Sequence, residues 1–387
     1  MITVRPEHLH GGDGTAGGTP GRRMPSRVAL VISDLGLGGA ERVVCALAGH
    51  WIGEGCEVAV VTVASPDIDV YQLPAGARRV ALDLARPSRN VLEGGVRAGR
   101  RALALRRALL EFRPEVVVAF LESTNVLSLL ATPGLGLPVV VCERTDPRFA
   151  RIGRPWAALR RLLYPRAAAV VVQTQRVAAW ARAFCPRVEV IENFVEGVAE
   201  QAEPGVDQGP RRVLAMGRLS VEKGFDQLIE AFGRIAGSHP DWSLTILGEG
   251  PERGRLQRLA AQLGLEQRVS LPGLVKEPRP WLVGSHAFAL PSRHEGYPNA
   301  LLEAMAAGLP AVAFDCPSGP ADIIDDGRNG LLVPAGDVAR FAAALGRLAD
   351  SPAERVRLGS NARAVAVTHA PGRILARWTG LLKGVVD

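Results

Sequence analysis

The sequence predicts an α/β fold built as two doubly wound, Rossmann-like domains facing across a cleft, and three observations carry that prediction. Val/Ala-rich runs recur through the first half ("RVALVIS", "EVAVVTV", "EVVVAF", "PVVVC", "AAAVVVQ"). They are continuous rather than alternating, as parallel strands covered on both faces require. Helical stretches such as "AERVVCALAGHWIGEG" and "VRAGRRALALRRALLEF" lie between several of them. A second set ("RVLAMG", "WSLTILG", "RVSLPG", "AFALPS", "PAVAFD", "GLLVP") follows an acidic, Gly/Pro-bearing stretch at 191–212. That stretch, without periodicity, reads as a linker.

The domain reading is therefore a Gly/Pro/Thr-rich leader at 1–26, a first domain at 27–195, a linker at 196–211 and a second domain at 212–370. Residues 371–387 form a last helix, expected to return to the first domain. A chain of 387 residues suits two cores better than one. The leader lacks an apolar h-region and does not read as a signal peptide. No stretch approaches ~20 uninterrupted apolar residues, so no spanning helix is expected.

Five cysteines (Cys45, Cys56, Cys142, Cys185, Cys316) lack CxxC spacing, which argues for a reducing cytoplasm and against a zinc or disulfide frame. The net charge of +7 comes almost wholly from arginine, with lysine only at 223, 276 and 383. No zinc finger, helix-turn-helix or aromatic-interleaved basic motif points to nucleic acid. No GxSxG elbow and no P-loop is present, which removes two common α/β functions.

Glycine-rich turns follow several strands. "SDLGLGGAER" (33–42) links the first strand to the first helix, where glycines admit a ligand and a helix N-terminus favours an anion. Glu41 stands where a dinucleotide fingerprint needs its third glycine, so a nicotinamide cofactor is not expected. "MGRLSVEKGFDQLIEAF" (216–232) brings Arg218 and Lys223 beside a second helix N-terminus, a cationic site suited to phosphate. "ILGEGPER" and "LPGLVKEP" place further loops at successive strand ends. "PDIDV" offers Asp67 and Asp69 as a DxD, read here as a polar loop rather than a metal site. The histidines show no zinc spacing.

The most informative stretch is "HEGYPNALLEAMAAGLP" (294–310). "AFALPSR" before it reads as a strand emptying into a loop, and "NALLEAMAAGL" as a helix stopped by Gly308 and Pro310. Glu295 then sits in the loop and Glu303 in the second helical turn, both able to look into one crevice.

Taken together, "GRLSVEKGFDQLIEAF", "ILGEGPER", "LPG" and the stretch from Pro291 to Pro334 resemble the retaining glycosyltransferases of family 4, with the GT-B fold. "GLGGAER" agrees in the first half. The resemblance is to the bacterial surface-polysaccharide and lipid-linked-oligosaccharide branch. It implies that Arg218 and Lys223 hold a nucleoside diphosphate and neutralise it as a leaving group, replacing a metal. It implies that Glu295 faces the donor sugar and that Glu303 binds the ribose hydroxyls. Gly296, Tyr297 and Asn299 would contact sugar and phosphate, and Val275 the base. Gly38 and Gly39 would approach the phosphates from the other domain. Arg144, in "VCERTDP", stands where many relatives carry a histidine near the donor sugar.

The function implied is metal-independent transfer of a hexose or N-acetylhexosamine, with retention, from a nucleoside-diphosphate sugar, UDP favoured. The acceptor is a glycan or a polyprenyl-diphosphate-linked saccharide. No bound cofactor is expected, the nucleotide sugar being a co-substrate. Two basic stretches, 86–112 and 151–167, combine arginine with Leu, Trp and Tyr. They suggest an anionic membrane surface, and so a cytoplasmic enzyme peripheral to the inner face. The alternatives are a non-hydrolysing sugar-nucleotide epimerase on the same fold and a non-catalytic partner subunit.

Overall fold

The computed structural model describes residues 23–36, 38–86, 90–149, 152–197, 201–205 and 210–386. Most of the expected leader lies outside these residues, as do parts of the expected linker and residues 87–89 and 151 of the two basic stretches. The chain divides into two compact units. One is the chain up to Glu192 together with the segment from Gly372, and the other is Asn193–Pro371.

The first unit holds seven parallel strands: β1 (Arg27–Ile32), β2 (Glu57–Thr62), β3 (Arg78–Ala81), β4 (Val116–Phe120), β5 (Val139–Cys142), β6 (Ala169–Val172) and β7 (Val188–Val190). Their spatial order is β3-β2-β1-β4-β5-β6-β7. The central runs are buried throughout, which is why they read as unbroken valine rather than as alternation. The edge strands β3 and β7 are short and only half-buried, and neither was foreseen from the apolar pattern.

Helices α1 (Gly39–Gly53), α2 (Val91–Phe112), α3 (Glu122–Ala131), α4 (Arg154–Leu163) and α5 (Gln175–Arg182) connect these strands. One core packs Leu105, Leu109 and Phe112 of α2, Val126 and Leu129 of α3 and Val177 of α5 against the inner residues of the sheet. At the opposite side α1 meets the chain's last helix. The Trp51 indole donates to the Thr379 hydroxyl at 3.3 Å, and Trp378 packs against Phe120 with ring centroids 5.9 Å apart. Burying a large apolar side chain contributes about 1.5–3 kcal/mol, so this helix is held firmly to the first unit.

The second unit repeats the plan with β8 (Arg211–Met216), β9 (Trp242–Leu247), β10 (Val269–Gly273), β11 (Ala287–Leu290), β12 (Ala311–Asp315) and β13 (Leu331–Pro334). All are parallel, in the order β10-β9-β8-β11-β12-β13. Its helices are α6 (Phe225–Ala236), α7 (Arg253–Gln262), α8 (Arg279–Val283), α9 (Asn299–Ala306), α10 (Val338–Asp350), α11 (Pro352–Ala362) and α12 (Val365–Thr368). The last helix, α13 (Pro371–Val386), leaves this unit for the first. The sequence reads 353–369 as one helix, whereas the structure divides it into α11 and α12.

One core packs α6, α7 and α10 on the sheet, and another packs α9 and Tyr297 on it. Residues 201–205 of the expected linker pack on the second unit. The Ala202 N–H donates to the Ala307 carbonyl at 2.8 Å, and the buried Arg355 guanidinium reaches the Pro204 carbonyl at 2.5 Å.

In each unit the first strand lies between the second and the fourth, so connections leave its two sides in opposite directions. That reversal opens a crevice at the carboxyl ends of β1 and β4, and of β8 and β11. Open α/β sheets bind ligands at such points.

Candidate active site at a strand-order reversal

In the second unit the crevice lies between the loop after β8 and the loop after β11. The first loop runs from Gly217 through a single 3-10 turn, Val221–Lys223, into α6. The second runs from Pro291 to Pro298 and enters α9. Gly224 links turn to helix at φ +66°, a conformation that favours glycine. A Cβ there would stand 2.1 Å from the Pro291 carbonyl oxygen. Glycine therefore lets the two loops touch backbone to backbone.

That contact brings Lys223 to Glu295. The ammonium donates to Glu295 Oε1 at 2.6 Å, and the Ser292 hydroxyl donates to the same oxygen at 2.6 Å. The Glu295 side chain is 7% exposed and that of Lys223 26% exposed. An ammonium has three N–H donors, so this pairing orients Lys223 while leaving donors for another anion. Arg218 is exposed on the same loop. Glu222 senses both cations. Burial alone would raise its carboxyl, but the Ser220 hydroxyl, its own backbone N–H and the charges of Lys223 and Arg218 hold it below the usual carboxylate range.

Glu303 falls in the second turn of α9 and is half-buried. Tyr297 is buried, with its hydroxyl 2.6 Å from His369 Nε2. The Asn193 amide donates to Asn299 Oδ1 at 2.6 Å and, more weakly, to the Tyr297 carbonyl at 3.4 Å. The Gly296 carbonyl accepts from the Ser318 hydroxyl at 3.3 Å. Val275, after β10, is half-buried against the core that contains Tyr297. The structure thus places Arg218, Lys223, Glu295, Gly296, Tyr297, Asn299, Glu303 and Val275 in one unit, on loops and a helix at the carboxyl side of its sheet.

The first unit holds the remaining expected residues. Gly38 caps α1 with extended backbone and Gly39 begins the helix. The anion at this N-terminus is the protein's own. The Glu41 carboxylate accepts from the backbone N–H groups of Glu41 and Ala40, and a Cβ on Gly38 would lie 2.2 Å from Glu41 Oε2. Burial raises the Glu41 carboxyl, Asp34 adds to the rise, and Arg144 counters it.

Arg144 is 8% exposed, its guanidinium over the Phe120 ring at 5.8 Å. Burial pulls its pKa down to about 10, against the pull of Cys142 and Glu41. Its neighbour Glu143 is buried too. Glu143 Oε1 accepts from the Tyr164 hydroxyl at 2.6 Å, while Arg160 Nη1 stands 3.5 Å away. Burial is the main cause that lifts Glu143 to about 7, and Glu122 adds to it. Asp69 of the DxD pairs with Arg79 at 2.8 Å and accepts from the Leu35 N–H at 3.3 Å, so it braces the glycine-rich turn. Among the described residues no group of His, Cys, Asp and Glu has the makings of a metal site.

Sequence reasoning missed Ser292, Asn193 and His369, which fix the 295–299 loop. Asn193 and His369 carry no local signal, because their partners lie far along the chain, whereas Ser292 bonds Glu295 only three residues on.

Two parallel sheets of matching strand order, each with a crevice at its reversal point, are the plan of the GT-B fold. Residues 199–365 match the model described as glycosyl transferases group 1, and residues 37–196 that described as glycosyltransferase family 4. Each model covers less than half of the chain, and together they make it similar to these glycosyltransferases along both of its units.

Among curated relatives, the GalNAc-α-(1→4)-GalNAc-α-(1→3)-diNAcBac-PP-undecaprenol α-1,4-N-acetyl-D-galactosaminyltransferase of Campylobacter jejuni is 25% identical, covering 93% of this chain and 99% of its own. An exopolysaccharide phosphotransferase of Streptomyces coelicolor is 32% identical over 73% of this chain but only 30% of its own length. The lipopolysaccharide core glycosyltransferase LpsE of Rhizobium meliloti is 39% identical over 38% of this chain and 42% of its own. The match thus spans less than half of the last two relatives.

Among solved structures, the sucrose-phosphate synthase of Thermosynechococcus elongatus superposes with a TM-score of 0.80, at 19% identity, over 92% of this chain and 97% of its own. The lipopolysaccharide outer core galactosyltransferase WaaB gives 0.72 at 20% identity, over 92% and 98%. At that identity they establish the fold.

Proposed function

We propose that this protein transfers a hexose or N-acetylhexosamine from a UDP-sugar, with retention and without a metal, to a glycan or polyprenyl-diphosphate-linked saccharide. The Lys223–Glu295 pair at the β8/β11 crevice carries this reading. Cleaving a glycosyl–phosphate bond builds negative charge on the departing diphosphate, and fixed cations beside it lower that barrier. Lys223, oriented by Glu295 and still holding spare donors, suits that task, and the exposed Arg218 adds a second cation. Glu295 faces the transferred sugar and Glu303 accepts from the ribose hydroxyls. In such a scheme the departing phosphate oxygen takes the acceptor proton during attack on the same face. No enzymic nucleophile is then called for, in contrast to retaining hydrolases. Solved neighbours bound to UDP support the choice of base.

For the acceptor, the undecaprenol-linked substrate named for the Campylobacter relative supports a lipid-linked saccharide. The first unit adds a suitable surface. Helix α2 exposes Leu92, Val96, Leu103 and Leu110 with Arg100 and Arg107 among them, and α4 exposes Leu162 beside Arg161. Arginine interleaved with apolar side chains suits an anionic headgroup layer. No helix among the described residues is long and apolar enough to cross a membrane.

The test is calorimetric titration with UDP, GDP and ADP and their sugars, with and without EDTA, followed by flotation with phosphatidylglycerol vesicles. UDP binding that survives EDTA, lost in Lys223→Ala, supports the donor site. Binding to none of the nucleotides overturns it in favour of a non-catalytic subunit. Conversion of the UDP-sugar to an epimer without acceptor would favour the epimerase.

A further inference from the structure

We propose that Arg293 is a positioning residue for this site, clamping the turn that carries Lys223 to the loop that carries Glu295. The inference rests on the donor-site reading above and deepens it. Arg293 lies two residues before Glu295, and nearly everything it offers goes to the other loop. Its backbone N–H donates to the Glu222 carbonyl at 2.8 Å. Its guanidinium donates through Nη1 to the Val221 carbonyl at 2.7 Å. The same group grips the Asp226 carboxylate with two bonds of 2.9 Å each.

Val221 and Glu222 are the first two residues of the 3-10 turn, and Lys223 is the third. Asp226 sits in the first turn of α6, directly after it. Arg293 therefore grips the chain on both sides of Lys223, while Gly224 rests on the Pro291 carbonyl. These contacts fix the stretch of backbone from which the Lys223 side chain reaches Glu295. Two parallel N–H bonds to one carboxylate fix orientation as well as distance, which a lysine ammonium does not do.

Three of the guanidinium's five N–H groups go to Asp226 and Val221, and in this proposal it acts through Lys223. Asp226 keeps a second cation, Arg255, at 3.2 Å. Removing Arg293 thus leaves no bare carboxylate, and the variant is expected to fold.

The experiment is a double-mutant cycle read as UDP affinity by calorimetry, with wild type, Lys223→Ala, Arg293→Ala and the double variant. Lys223→Ala is expected to weaken UDP by about 10–100-fold and Arg293→Ala by about 5–20-fold, as loss of a charged hydrogen bond and of its orientation would. The double variant should bind no more weakly than Lys223→Ala alone, since residues acting through one another are not additive. Losses that multiply would overturn the proposal.

Hydrogen exchange on the nucleotide-free protein supplies a second readout. Amides 219–224 should exchange faster in Arg293→Ala, with Arg293→Lys between it and wild type. Unchanged exchange there overturns the clamp even if affinity falls. A wild type that binds none of UDP, GDP and ADP brings down the donor-site reading, and this proposal with it, and is told apart from a failed clamp by the exchange data.

Discussion

Lys223 Nζ and Glu295 Oε1 lie 2.6 Å apart although 72 residues separate them, and they meet where the strand order of the second sheet reverses. The pair joins the two halves of the proposed chemistry, a cation for the diphosphate and a carboxylate for the sugar. Lys223→Ala should lower turnover of the UDP-sugar by about 10²–10³-fold, the usual cost of losing one preplaced donor at a developing charge. It also leaves a nearly buried carboxylate with only the Ser292 hydroxyl, so stability should fall by about 1–3 kcal/mol. Steady-state kinetics and urea denaturation measure the two effects. Unaltered turnover would remove Lys223 from the chemistry.

The ribose assignment of Glu303 has its own signature. A carboxylate accepting from ribose hydroxyls contributes about 1.5–3 kcal/mol through a charged hydrogen bond. The wild type should therefore prefer UDP over 2′-deoxy-UDP by about tenfold or more, and Glu303→Ala should erase most of that preference. Binding titrations with both nucleotides decide it. A preference that survives the substitution places the ribose elsewhere.

Gly224→Ala tests the close approach of the two loops. The added Cβ meets the Pro291 carbonyl at 2.1 Å, and alanine is strained at φ +66°. Cost is expected on both grounds, about 2 kcal/mol or more in denaturation. Because the displaced segment is the Lys223 turn, UDP affinity should fall as well. Gly237→Ala is the control, with nothing within 4 Å of its added Cβ and helical backbone at φ −66°. It should leave both quantities close to wild type.

How far the sequence discloses this arrangement depends on how local each signal is. The buried central strands announce themselves as valine runs, and Gly224, Gly308 and Pro298 punctuate helices where the chain says they should. The half-buried edges β3 and β7 do not, because neither "RRVA" nor "VEV" forms an apolar run. Lys223, Glu295 and Glu303 were legible as a family pattern of residue types at fixed spacing. The Lys223–Glu295 bond was not, since it depends on how β8 and β11 pair. Glu41 shows the same limit. The sequence marks a glycine-rich helix start fit for an anion, and only the fold reveals that a side chain of the same helix fills it. Arg144 lies two residues past the end of β5, beyond the strand it was expected to end, and its place over Phe120 and near Glu41 is something the local sequence does not announce.

Glu143 yields a prediction about pH. Its carboxyl is lifted from the usual range to about 7, burial being the main cause and Glu122 the second, while Arg160 and the Tyr164 hydroxyl oppose it. Between the unfolded value, near 4.3, and 7 the folded state binds more protons than the unfolded one. Stability from this group therefore falls as pH rises through that window, and the penalty is complete above it. Glutamine keeps the size and an oxygen for the Tyr164 hydroxyl but cannot ionise. At pH 4, where the carboxyl is mostly protonated in both the folded and the unfolded chain, Glu143→Gln should match wild type to within about 1 kcal/mol. At pH 8.5 the variant should be the more stable by about 1–3 kcal/mol, the order expected for a buried acid freed of its ionisation cost. Arg160 tempers the gain, since at high pH it loses the carboxylate 3.5 Å away. Urea denaturation of both proteins at the two pH values measures the difference. A variant that is less stable at pH 8.5 than at 4, relative to wild type, would show that the ion pair with Arg160 outweighs the desolvation of Glu143.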